Sequence, residues 1–89
     1  MSPDLKQHLV ELMWANAMDL QLQLMVRPGV SKADHLNDIK SVHDRCHMHC
    51  RAIQELGCHN DRQHGAMYDR IDYVATMAGK LLQEASHDD

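Results

Sequence analysis

The sequence predicts an all-α chain folded as a three-helix bundle, and three observations carry that expectation. Of the 89 residues 44% are hydrophobic but only 3% aromatic, with no Phe and seven Met. A core filled mainly by Leu, Met and Ala, with some Ile and Val, suits helices better than sheets. Two punctuation points, Arg27-Pro28-Gly29-Val30-Ser31 and Gly57-Cys58-His59-Asn60, divide the chain into three segments of helical length. Within each segment the apolar residues recur at threes and fours. At this length the chain makes one domain, residues 1–89, and buries only about 60 to 65% of its unfolded surface. Oligomerisation or a metal would add useful stability.

The first helix is expected over about 3–26, with Ser2 as N-cap, Pro3 at the first helical position and Asp4 in the first turn. Pro28 stops it. It carries two apolar stripes: Leu5, Leu9, Leu12, Met13, Leu20 and Leu24 on one side, and Val10, Trp14, Met18, Leu22 and Met25 on nearly the other. Two neighbouring helices cover one such side, so the second stripe points to a homodimer or a protein partner, with Trp14 as anchor. Asn16 falls within the Leu stripe and reads as a register-setting polar residue.

The second helix is expected over about 32–56, opened by Ser31 with Asp34 three residues on, and closed by Gly57 in a left-handed conformation. Its seam runs through Ile39, Val42, Cys46, His49, Ile53 and Leu56. The third is expected over about 61–85, behind Asn60 as N-cap with Gln63 three residues later. One seam serves it, through His64, Met67, Ile71, Val74, Ala78, Leu81 and Ala85, and it should pair with the second helix as an antiparallel hairpin. Residues 87–89 should fray.

Thirteen Asp and Glu against nine Lys and Arg give a net charge of −4, with no basic patch to neutralise phosphates. The turn after Gly57 has the length of a helix-turn-helix, but a recognition helix opening Asp61-Arg62-Gln63-His64 and carrying Asp69 and Asp72 suits nucleic acid poorly. No apolar run approaches the roughly 20 residues of a membrane span, and no basic-then-apolar leader opens the chain. Three cysteines, two of them one helical turn apart, do not make a disulfide framework. A cytoplasmic protein with reduced thiols is expected.

Chemical character is concentrated between His43 and His59, which hold four of the eight histidines and all three cysteines. His43, Cys46, His47 and Cys50 stand at i, i+3, i+4 and i+7 on one flank of the second helix, a donor inventory that suits zinc, copper or nickel. One straight helix spreads them along about 10 Å of axis, so two or three can share an ion. A further ligand would have to come from His35, Cys58, His59, His64 or a second copy. The alternative expectation is that the cysteines are core residues and the histidines solvated, pH-sensitive edge residues. With no glycine-rich loop or cofactor motif, no enzyme and no cofactor are expected. The sequence therefore points to a small interaction or regulatory module using the outer stripe of the first helix, with a transition-metal sensor or store on the second helix as the alternative.

Overall fold

The computed structural model describes residues 1–87 and contains α1 (Pro3–Gln21), a 3₁₀ turn (Leu22–Leu24), α2 (Lys32–Glu55) and α3 (Gly65–His87), with no strand among the described residues. Of the residues expected to fray, His87 is the last of α3, and Asp88 and Asp89 lie outside the described residues.

Each helix start and stop has a local cause. The Ser2 hydroxyl accepts from the Leu5 N–H at 3.2 Å, and the Ser31 hydroxyl accepts from the Asp34 N–H at 3.1 Å, each satisfying one of the orphan donors of a first turn. Gly57 ends α2 at φ 74°, where the Cys58 N–H reaches the Ile53 carbonyl and the Gly57 N–H reaches the Gln54 carbonyl. That pair of bonds is the Schellman closure, and it turns Cys58 inward, where it is 3% exposed.

Two boundaries differ from the sequence expectation. The first α-helix stops at Gln21 instead of continuing to about 26; the 3₁₀ turn follows, and Met25 is extended at ψ 142°. The chain must straighten there for Arg27, ahead of Pro28, to reach Asp38 on α2 in an ion pair. The third helix begins at Gly65 and not behind Asn60. Asp61 instead accepts the Gln63 N–H at 2.9 Å through its side chain, an alternative to the helical ladder that delays the first regular turn.

α2 and α3 form an antiparallel hairpin along their whole length. Gln54 donates to the Tyr68 hydroxyl at 2.6 Å near the turn, and His43 lies against Gly79, the same eleven-residue step along both helices. Leu36 and Leu82 share a shallow pocket at the far end. This is a coiled-coil-like pairing and not the steep crossing of a helix-turn-helix. α1 runs antiparallel to α2, with Asn16 bonded to His49 and Arg27, beyond its end, paired with Asp38; it reaches α3 through Arg70 to Gln21, and the loop before α3 through Gln63 to Gln7.

Val10, Ala17 and Leu20 of α1 meet Ile39, Val42, Cys46, Cys50 and Ile53 of α2 and Ile71, Val74, Ala75 and Ala78 of α3 in one core. The two stripes of α1 are thereby redistributed. Val10, expected on the outer stripe, is fully buried, whereas Leu5 and Leu12 of the expected inner stripe are 46% and 54% exposed. The face that wedges between two helices is centred on Val10, Met13 and Ala17, and the sequence could not rank the two stripes.

Ile53 is fully buried and Met48 is 67% exposed. Ile53→Ala should lower the unfolding free energy by about 2 to 4 kcal/mol, and Met48→Ala should change it by less than about 0.5 kcal/mol, as read by urea denaturation.

Candidate functional site

The sequence-selected donors of α2 divide according to the side they face. Cys46 is fully buried and Cys50 is 5% exposed, both inside the apolar core. Burial pushes each thiol up to about 11, with Asp72 and then Cys46 adding to the effect at Cys50, so both stay protonated near neutrality. A metal needs the thiolate, and these thiols serve better as small apolar packing groups. His43 is half-buried, bonded to the Asp44 carboxylate at 3.2 Å and stacked on exposed His47 with centroids 6.2 Å apart. Gly79 on α3 leaves room for the His43 ring, 3.5 Å from where a Cβ would stand. The structure does not gather His43, Cys46, His47 and Cys50 around a common point.

His49 stands on the inner seam and bonds through Nε2 to the Asn16 Oδ1 at 2.9 Å, tying α2 to α1. Asn16, within the Leu stripe, thus faces α2. Burial lowers the His49 pKa from its ordinary value, and the positive charge of Arg45 lowers it further.

A different donor group does converge. Cys58 Sγ, an Asp61 carboxylate oxygen and a His64 ring nitrogen lie within 4.8 Å of one another, where the α2–α3 loop meets the start of α1. Backbone bonds from Asp61 N–H to the Cys58 carbonyl and from His64 N–H to the Asp61 carbonyl make two successive turns of three residues. Side chains three apart on such turns lie one above another, which stacks the three donors on one side. His64 is 5% exposed; its Nδ1 bonds to Asp61 Oδ2 at 2.8 Å, and its buried Nε2 has no hydrogen-bond partner. The backbone N–H of Gln63, then His64, hold the Asp61 carboxyl below its usual range. A cavity of about 350 Å³ adjoins the group, lined also by Met1, Asp4, Gln7 and Leu56. Cys58 and His64 are expected from the sequence as further donors to a site on the second helix, and Asp61 only as the opening residue of the third helix. The signal that could have joined them is the repeated spacing of three in Cys58, Asp61 and His64.

The outer surface of α1 forms the second candidate. Trp14 is 37% exposed and Met18 is half-buried against the core, while Leu22 and Met25, expected on the same helix, lie beyond its end and are 64% and 63% exposed; Val10, expected with them, is buried. Between Leu12 and Val26 the single charged residue is Asp19.

No protein-family model, curated protein or solved structure matches this chain. No helix among the described residues is long and apolar enough to cross a membrane.

A lowered His49 pKa means that the unfolded chain takes up this proton at higher pH than the folded one. The stability His49 contributes in its neutral form is therefore complete above pH 6.5 and is lost as pH falls below that value. Thermal melts should show Tm dropping between pH 7 and pH 5.5, with a shallower drop in His49→Gln.

Proposed function

We propose that the chain is a non-enzymatic interaction module that works as a homodimer, two copies meeting through the outer stripe of α1. The observation that carries this reading is the apolar ridge of Trp14, Met18, Leu22 and Met25, set in a stretch with one charged residue. Apolar, charge-poor and aromatic-anchored surface is what the centre of a protein interface consists of.

Shape and area favour a second copy as the occupant. The bundle measures 47 × 23 × 17 Å with a radius of gyration of 14.4 Å, against about 12 Å for a compact chain of this length. Its accessible surface is 6098 Å², roughly 800 Å² above the value for a compact monomer of this mass, and a standard interface buries about that area per partner. A two-fold contact places the same ridge on both sides, so the uncharged stretch is its own complement. Methionines in the ridge adapt to an irregular counter-surface and would also serve a larger protein partner. Three free, buried thiols suit a reducing compartment, and the cytoplasm is the setting proposed.

Sedimentation of the purified chain over a wide concentration range should reveal a reversible dimer. Trp14→Glu should weaken the dimer at least about 30-fold, the effect of losing a central aromatic anchor worth about 2 kcal/mol, with helical circular dichroism retained. A wild-type monomer at hundreds of micromolar would overturn the proposal.

A further inference from the structure

Cys58, Asp61 and His64 combine thiol, carboxylate and imidazole, and they converge because the Schellman closure buries Cys58 while two short turns bring Asp61 and His64 over it. The His64 bond to Asp61 through Nδ1 leaves Nε2 as the ring's lone pair, in the form that ligates metals. That Nε2 is buried without a partner, in a side chain more than nine-tenths buried, and leaving such a group unsatisfied is costly. The Cys58 thiol has only a weak contact, 3.7 Å to the Leu56 carbonyl.

We propose that Cys58, Asp61 and His64 form a zinc-binding site at the α1 end of the bundle, separate from the dimerisation ridge and from the His43 to Cys50 flank of α2. Sulfur and imidazole nitrogen are the donors zinc prefers among divalent ions, and the carboxylate brings negative charge beside the ion and orients the imidazole. Donors around a tetrahedral zinc stand about 3.3 to 3.8 Å apart, against up to 4.8 Å between Cys58 Sγ and a His64 ring nitrogen, so binding draws Cys58 and His64 together while Asp61 keeps its bond to Nδ1. The cavity lined by Met1, Asp4 and Gln7 adjoins these side chains and leaves room for water or an incoming donor. Binding releases the Cys58 thiol proton and fastens the loop after α2 onto α3.

The test uses the full chain, reduced and without a histidine tag, titrated with Zn²⁺ against a chromogenic chelator and separately with Co²⁺. One equivalent should bind, the Co²⁺ complex should show tetrahedral visible absorption with a sulfur-to-cobalt charge-transfer band, and zinc should raise Tm. Cys58→Ser and His64→Gln should each weaken binding at least 100-fold and Asp61→Asn about 10- to 100-fold, whereas the His43→Gln, His47→Gln double variant should bind as wild type. The exposed Asp61 variant and the wild-type cobalt spectrum serve where a core variant fails to fold. Absence of stoichiometric binding, a cobalt spectrum without sulfur coordination, or binding lost in the His43, His47 variant would overturn the proposal.

Discussion

Along the α2–α3 hairpin several buried positions are occupied by short side chains: Cys46 and Cys50 on one helix, Ala75 and Ala78 on the other, with Gly79 accommodating His43 at the margin. Short side chains let two helices approach closely, and close approach along the full length makes the pairing continuous. The branched residues Val42, Ile53, Ile71 and Val74 fill what remains. α1 has no such extended partner. It lies in the groove of the finished hairpin, wedged through Val10 and Ala17, and is held by polar bonds along its flanks. The hairpin is thus the platform on which the position of α1 and of the 57–64 loop depends.

This order of dependence explains where the chemistry resides. A cysteine on the hairpin seam is consumed by packing: Cys46 and Cys50 stay as thiols because an ionised sulfur among Val, Ile and Ala would have no compensating partner. A cysteine at the hairpin's turn has different neighbours. Cys58 is buried by a backbone motif, close to a carboxylate and an imidazole, and beside a polar cavity. Equal burial of the three sulfurs therefore has unequal chemical meaning.

The outer surface of α1 follows from the same geometry. One helix set into a groove buries a limited arc, and the apolar residues of α1 extend beyond that arc on both sides, from Leu5 and Leu12 on one flank to Trp14 on the other. A polar substitution at Trp14 would spare the core, since Val10 and Ala17 make the wedge. Leu5, Leu12 and Trp14 are exposed where the packing of the bundle does not need them.

Much of the architecture was legible in the residues because it depends on local physics. Ser2, Pro3, Ser31 and Gly57 act within a few residues of themselves, and the seams of the second and third helices appear as simple periodicity. The end of α1 and the start of α3 were misplaced by several residues, because the reach of Arg27 to Asp38 and the side-chain turn at Asp61 compete with the helix after its propensity is spent. Nor could periodicity decide which stripe of α1 turns inward, since the stripes are similarly apolar and only the packing against α2 and α3 buries Val10 and leaves Leu12 exposed. The gathering of Cys58, Asp61 and His64 is likewise a product of the turn's path. Composition, caps and spacing determined that this protein is a helical hairpin with a third helix; tertiary structure decided which donors meet and which apolar face remains outside, because convergence and exposure are set by neighbours that the local sequence does not contain.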